Sequence, residues 1–172
     1  TGNKHQGVPA HGSSQVPKSS VLMPRAQPDQ SGAIASSWVA SQGAFYRAGQ
    51  LGNPEYAPLL KTIAPGSPVL SHTIGWLTAL ETAGVVAPSK YRIGNVHVRS
   101  ISGSTAVLTG CTFDTGSIVR ATRSPAPASL GGGASYTASV AILHRIGGSW
   151  LVWSDASSTV MSPTSEGPCH GF

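Results

Sequence analysis

The hydrophobic pattern of the chain changes its period between residues 84 and 91. Before this point apolar residues recur at helical steps, as in Ile34, Trp38 and Phe45, and this spacing predicts amphipathic helices. From Tyr91 onward apolar and polar residues alternate, which predicts strands with one buried face. Helices followed by strands predict an α+β domain, with N-terminal helices packed on a curved, mostly antiparallel sheet of about five strands.

Three helix starts can be recognised from their capping residues. Asp29 or Ser31 can cap the first helix, because a short polar side chain accepts a hydrogen bond from a free N–H of the first turn. The segment NPE at 53–55 adds a proline and an acid to a capping residue, so it predicts the second start. The segment SP at 67–68 predicts the third, and Gly84 can end that helix.

Turn-forming glycines separate the predicted strands. Gly147 and Gly148 form a two-residue hairpin signal. In the first strand, strict alternation places Ile93 on one side and Val96 and Val98 on the other. The predicted strands are YRIGNVHVRSI (91–101), TAVLTGCTF (105–113), SIVRAT (117–122), SYTASVAILHRI (135–146) and SWLVWSDA (149–156).

Both ends of the chain differ in composition from the middle. Residues 1–30 contain four prolines and lack helical or strand periodicity, which is typical of a stalk or linker. Residues 161–172 form a short tail rich in Ser, Pro and Gly. We therefore expect one α+β domain at 31–160 between a disordered stalk and a C-terminal tail.

The shortage of charge excludes several classes of protein. Charged residues make up 10% of the chain, with 11 Lys and Arg against 6 Asp and Glu, so a coiled coil with charged heptads is excluded. No apolar run is long enough to span a membrane, so we expect membrane contact only through an N-terminal anchor. The basic residues are scattered rather than clustered, so the sequence gives no reason to expect a nucleic-acid partner.

The two cysteines, Cys111 and Cys169, lack the spacing of a metal site. From the sequence around them alone, the two cysteines could form a disulfide or remain as two free thiols. A neutral, hydroxyl-rich chain that begins at Thr1 predicts a mature exported fragment, and export favours the disulfide. It would attach the tail to the body of the domain. The sequence shows no phosphate-binding loop, serine-nucleophile elbow or metal-ligand set, so we expect neither a cofactor nor a metal.

Three features of the sequence together resemble a known superfold. They are a first helix with Trp and Tyr, the strand GSTAVLTGCTFDTG at 103–116 and the hairpin ILHRIGGSWLVW at 142–153. The series resembles the nuclear transport factor 2-like (NTF2-like) superfold over residues 33–169, in which a curved sheet and helices form a cone. More narrowly, Cys111 followed by Asp114, with Cys169 at the end, is similar to exported actinobacterial proteins, including lipoproteins, of unassigned function.

The resemblance implies a shape that serves isomerases, dehydratases, binding subunits and scaffold domains. An enzyme of the ketosteroid-isomerase kind needs a buried carboxylate that moves a proton and donors that stabilise an oxyanion. Asp114 is the candidate base and Asp155 is the second choice, and both also fit aspartates that accept backbone hydrogen bonds in turns. The candidate donors are Tyr46, Tyr91 and His97.

Aromatic residues provide a second indication of function, because they are numerous enough to line a pocket or to fill a core. The candidate pocket residues are Trp38, Tyr46, Trp76, Tyr91 and Trp153. The first hypothesis is an exported, non-catalytic domain that binds a protein, an envelope component or a small apolar ligand. The alternative is a small pocket enzyme of the isomerase or dehydratase type with Asp114 as general base.

Overall fold

The computed structural model describes residues 28–116, 119–120, 134–160 and 169–171. The fold class is the predicted one: helices precede a curved antiparallel sheet. The expected stalk lies outside the described residues up to residue 27, as does most of the tail. None of the helices in the described ranges is long and apolar enough to cross a membrane.

Three helices form the first half of the domain, and their ends follow from local sequence. They are α1 (Pro28–Leu51), α2 (Ala57–Leu60) and α3 (Pro68–Ala83). Gly84 closes α3 in the left-handed conformation, at φ 62°, where glycine avoids the Cβ penalty. The start predicted for the second helix was too early, since α2 begins only at Ala57. Asn53 Oδ1 instead accepts the N–H of Glu55 in a turn that precedes the helix.

Four long strands form the main sheet in the order β2-β3-β5-β6, and every neighbouring pair is antiparallel. Two-residue turns at Gly103 and at Gly147-Gly148 join the strands of two hairpins, with positive φ at all three glycines. Among the described residues, the two remaining strands, β1 and β4, pair with each other. The strands are β1 (Val85–Val86), β2 (Tyr91–Ser102), β3 (Thr105–Asp114), β4 (Val119–Arg120), β5 (Ser135–Ile146) and β6 (Ser149–Val160).

The expected third strand therefore belongs to a separate two-stranded ribbon rather than to the main sheet. Only Val119 and Arg120 of the segment 117–122 are in a described strand, and they pair with Val86 and Val85. The main sheet has four strands instead of about five, because this segment pairs with the residues that follow α3.

Bulges change the alternation that was predicted for β2. Register shifts between Gly94 and His97, and between Val98 and Ser100, each insert a residue, and an inserted residue reverses the face of the side chains beyond it. As a result Ile93, Val96 and Val98 all pack against the same core. The prediction that Ile93 faces away from the two valines was wrong.

The main core lies between α1 and the concave face of the sheet. Ile34, Trp38, Leu108 and Leu143 are fully buried there. Gly110 makes close contact between helix and sheet possible, because a Cβ at this position would lie 2.5 Å from two ring atoms of Trp38. The strand thus has glycine where the indole ring approaches it most closely.

The segment between α2 and α3 closes one end of the concave face. The N–H of Ala64 donates to Val152 O at 2.9 Å, and the N–H of Val152 donates to Thr62 O at 3.0 Å. Ile63 is buried with Leu59 in a second core cluster. This connection joins the helical layer to β6 through backbone hydrogen bonds.

A disulfide joins Cys111 to Cys169, as the sequence predicted, with 5.2 Å between the Cα atoms. Both cysteines are buried. Since Thr112 faces the concave side of β3, the preceding Cys111 faces the convex side. Nearby, the amide nitrogen of Asn95 donates to His170 O at 2.8 Å, so the described part of the tail lies over the bulged region of β2.

Candidate functional site

A cavity of about 380 Å³ lies between the helices and the concave face of the sheet, which is a size typical of small-molecule sites. The helical side and the segment at 59–63 contribute Ser41, Gln42, Phe45, Tyr46, Leu59, Ile63, Val69, His72, Thr73 and Trp76. The strand side contributes Thr112, Asp114, Ser135, Thr137, Ser139, Val152, Asp155 and Ser157.

The two walls of this pocket differ in chemistry. The apolar part of the lining comes mainly from the helical side, where the rings of Phe45 and Trp76 are stacked with centroids 4.8 Å apart. The strand wall carries hydroxyl groups in register across the sheet, with Thr112 opposite Thr137. A molecule in the pocket would therefore meet hydrocarbon on one side and hydrogen-bonding groups on the other.

Asp155 is held at one end of the pocket by two N–H donors from α1. Its Oδ2 accepts hydrogen bonds from Trp38 Nε1 at 3.0 Å and from Gln42 Nε2 at 2.8 Å. Its Oδ1 is shielded from solvent and has no hydrogen-bond partner among the residues that the structure describes. The hydroxyl of Ser139 lies close enough to the same carboxyl group to lower its pKa, but it makes no hydrogen bond to Oδ1.

Burial raises the pKa of Asp155 above its ordinary value, because removal from water disfavours the charged form. The side chains of Trp38, Ser139 and Gln42 oppose this change, since hydrogen bonds to a carboxylate favour its ionised form. Desolvation is the larger effect. A carboxyl group with a raised pKa in a pocket is a recognised mark of a functional site.

A bulge in β6 determines that Asp155 faces the pocket. Val152 pairs with Leu143 and Ser154 pairs with Ile142, so Trp153 is an extra residue in the ladder. The insertion reverses the side-chain alternation. Val152 before the bulge and Asp155 after it therefore lie on the same concave face, although they are three positions apart.

Asp114 lies toward the other end of the pocket, and both of its oxygens have partners. Oδ2 accepts the hydroxyl hydrogen of Tyr46 at 2.9 Å, and Oδ1 accepts the N–H of Gly116 at 2.8 Å in a turn. The ring of Tyr46 is stacked on Tyr91 with centroids 4.3 Å apart. Burial, followed by the nearby Asp114, raises the pKa of Tyr46, so its phenol stays neutral and donates.

The spacing along α1 explains why one helix contacts both acids. Trp38, Gln42 and Tyr46 are each four residues apart, so they lie on one face of the helix. The first two contact Asp155 and the third contacts Asp114. Trp38 and Tyr46, at the two ends of this row, are eight helical residues apart, which is about 12 Å along α1.

The predicted pocket residues divide into two groups. Tyr46 and Trp76 are part of the lining. Trp38 is fully buried below the pocket and contributes its N–H to Asp155. Tyr91 stacks behind Tyr46. Trp153 follows the concave-facing Val152, so it faces the convex side, where its ring stacks on His144 with centroids 4.8 Å apart.

The candidate catalytic residues Asp114, Asp155 and His97 have different surroundings in the structure. Asp114 accepts a turn N–H, which was the alternative interpretation for it, and it also lines the pocket. Asp155, the second choice, has the buried and partly unpartnered carboxyl group. His97 is exposed and pairs with Thr109, so this candidate donor lies outside the pocket.

Some pocket residues carried no signal in the sequence. Gln42 donates to Asp155 from a helix whose other pocket-facing members are aromatic or small. Its position four residues after Trp38 was the available indication. Within the described ranges, no group of three or more His, Cys, Asp or Glu side chains could hold a metal ion.

Comparisons with known proteins identify the fold. A scan against models of protein families gives no match, and a search of curated proteins gives no match either. Among solved structures, a ketosteroid isomerase-like protein from Erwinia carotovora atroseptica has a TM-score of 0.54 and 17% identity, covering 80% of this chain and 100% of that one. The fold is NTF2-like.

Other solved structures share the NTF2-like arrangement. A candidate scytalone dehydratase from Novosphingobium aromaticivorans has a TM-score of 0.50 and 11% identity, covering 77% of this chain and 89% of that one. An NTF2-like protein of unknown function from Shewanella oneidensis has a TM-score of 0.44 and 11% identity, covering 72% and 97%. The likeness to the ketosteroid isomerase-like protein and to the candidate scytalone dehydratase establishes the fold, and at these identities it leaves activity to the residues of the pocket.

Proposed function

We propose that this domain binds a small organic molecule in the pocket between α1, α3 and the concave face of the sheet. The observation that carries the proposal is the cavity of about 380 Å³, whose helical wall carries most of the aromatic and aliphatic side chains and whose strand wall carries hydroxyl groups. Sites for small molecules combine mainly hydrophobic lining with a few placed polar groups. The hydrogen-bonded acids at the two ends supply such groups.

Chemical-shift mapping by NMR tests this proposal with a mixture of small aromatic alcohols and ketones. We expect shifts confined to pocket residues such as Thr73, Trp76 and Thr137. The variant Ser157→Trp places an indole in the pocket and should abolish binding. Ser158→Trp is the matched control, because the next residue of a strand faces the opposite side. Equal binding by both variants, or shifts scattered over the surface, would contradict the proposal.

A second candidate function is proton transfer by Asp155 on the bound molecule. It is favoured by the buried Oδ1, which has no hydrogen-bond partner within the described residues. General acid–base catalysis is most efficient when the pKa of the catalytic group lies near the working pH. Burial moves the pKa of Asp155 in this direction, because it raises the pKa above the ordinary value of an aspartate. Asp114 fits this role less well, because its two oxygens already accept hydrogen bonds.

The isomerisation of 3-cyclohexen-1-one tests proton transfer without knowledge of the natural substrate. Asp155 would take a proton from the carbon between the carbonyl and the alkene, and return it to the far alkene carbon. The conjugated product is followed by ultraviolet absorbance. We expect Asp155→Asn to reduce the rate about 100-fold or more, with Glu81→Gln unchanged. A larger loss with Asp114→Asn would assign the base to Asp114 instead.

We further propose that the domain is exported, either secreted or lipid-anchored, and acts at the cell envelope. The disulfide between Cys111 and Cys169 supports an oxidising compartment. An envelope component would then be the source of the ligand or the protein partner. Fractionation of the native cells, with the protein followed by antibody, tests this: a purely cytoplasmic pool would contradict it.

A further inference from the structure

We propose that the pocket prefers a ligand with an organic cation, which is held at Asp114 and the neighbouring aromatic rings. This inference rests on the proposed small-molecule binding and names its ligand class. It is independent of whether Asp155 transfers a proton.

The distribution of charge is the first argument. The chain has six Asp and Glu residues against eleven Lys and Arg, yet Asp114 and Asp155 both line the pocket. Among the described lining residues no Lys or Arg is present, and His72 is the one basic side chain. A basic protein therefore presents an acidic pocket. A cation inside it gains Coulomb energy, whereas an anion is repelled.

The aromatic rings are the second argument, and they lie at the Asp114 end. Phe45, Tyr46 and Trp76 all line the pocket. Tyr46 donates its hydroxyl hydrogen to Asp114. Phe45 contacts Tyr46 edge to face, with ring centroids 5.8 Å apart, and also stacks on Trp76. Ring faces attract cations through their quadrupole, and the attraction is stronger when the cation is removed from water.

The state of the two acids favours Asp114 as the anchor. Two N–H donors already stabilise Asp155 Oδ2, and burial works against its charge. Asp114 also accepts two hydrogen bonds from neutral groups, a hydroxyl and a backbone N–H, and its partner Tyr46 is one of the aromatic rings that line the pocket. Each carboxylate oxygen has a second lone pair, so an ammonium group can approach Asp114 while these two hydrogen bonds stay in place.

Three probes of one skeleton test the preference: phenethylammonium, 2-phenylethanol and phenylacetate. Their dissociation constants are measured by NMR titration of the wild-type protein at pH 7. We expect phenethylammonium to bind about tenfold or more tightly than the alcohol, which corresponds to about 1.4 kcal/mol, and phenylacetate to bind most weakly. Equal binding of alcohol and ammonium overturns the inference but leaves small-molecule binding intact.

Two isosteric variants locate the cation. Asp114→Asn should remove most of the preference for ammonium over alcohol, because the amide oxygen keeps an acceptor but loses the charge. Glu81→Gln is the matched control, since it removes the same charge from an exposed position on α3 and should keep the preference. If Asp155→Asn removes the preference instead of Asp114→Asn, the assignment is overturned. If none of the three probes binds in the pocket, the proposed function itself falls.

Discussion

Trp38 Nε1 donates to Asp155 Oδ2 at 3.0 Å, joining the first helix to the last strand across 117 positions of sequence. The indole ring is fully buried, and its six-membered part lies close to Gly110 on β3. One side chain therefore serves in the core and also orients the pocket acid. Changes at Trp38 should affect stability and the carboxyl group together.

Replacing Trp38 with Phe should destabilise the domain by about 1.5–3 kcal/mol through the lost hydrogen bond to a charged group, with a further loss from the smaller ring. Urea denaturation measures the free energy of unfolding. In an Asp155→Asn background the same replacement should cost less, because a neutral acceptor is worth about 1 kcal/mol. Equal costs in the two backgrounds would show that the hydrogen bond contributes no coupling.

Asp155→Asn should flatten the pH dependence of stability. The pKa of Asp155 is raised in the folded state above its ordinary value of 3.8, so the folded state holds this proton more tightly than the unfolded state. The stabilisation that the folded state gains from binding this proton is complete below pH 3.8, and it is lost as pH rises through the folded-state pKa of Asp155. Denaturation midpoints between pH 3 and 8 measure it. A wild-type minus variant difference that stays constant with pH would contradict the assignment.

Gly110→Ala should destabilise the domain by about 1–3 kcal/mol, because overpacking a filled core forces the neighbouring atoms to move. The added Cβ would meet two Trp38 ring atoms at 2.5 Å. Gly75→Ala on α3 is the matched control, since nothing lies within 4 Å of its Cβ position. That change should stabilise the helix by about 0.5–1 kcal/mol. Thermal melting of both variants should give shifts of opposite sign.

Removing the disulfide with the double replacement of Cys111 and Cys169 by Ser should cost about 4 kcal/mol in the chain-entropy model. The bridge closes a loop with a sequence separation of 58. A reducing agent should lower the melting temperature of the wild-type protein and leave the double variant unchanged. The pocket lies on the opposite face of the sheet, so probe binding below the melting temperature should persist. A wild-type protein insensitive to reduction would contradict the bridge.

Much of the fold could be predicted from the sequence because its signals are local. The change from helical to alternating periodicity depends on neighbouring residues, and so do the turns at Gly103 and Gly147. The strand at 135–146 was predicted with the observed bounds. Gly84 was identified as the end of α3 for the same reason, since a left-handed C-cap follows from one residue.

The pocket was harder to predict because bulges and long-range contacts define it. An inserted residue such as Trp153 has no signature in composition, yet it decides the face on which Asp155 lies. The sequence ranked Asp114 over Asp155 without a sign that Trp38 and Gln42 reach Asp155, because these contacts join residues more than 100 positions apart.

Because Trp153 is an extra residue in β6, the positions that face the concave side are even-numbered before it and odd-numbered after it. Before it, the even-numbered Trp150 and Val152 are buried in the core, and after it the odd-numbered Asp155 and Ser157 line the pocket. A profile of mutational tolerance along this strand should change phase at residue 153. An alignment that carries a relative's strand across this point without a gap would assign the pocket positions to the wrong face, so the lining of the pocket depends on an insertion as much as on any side chain.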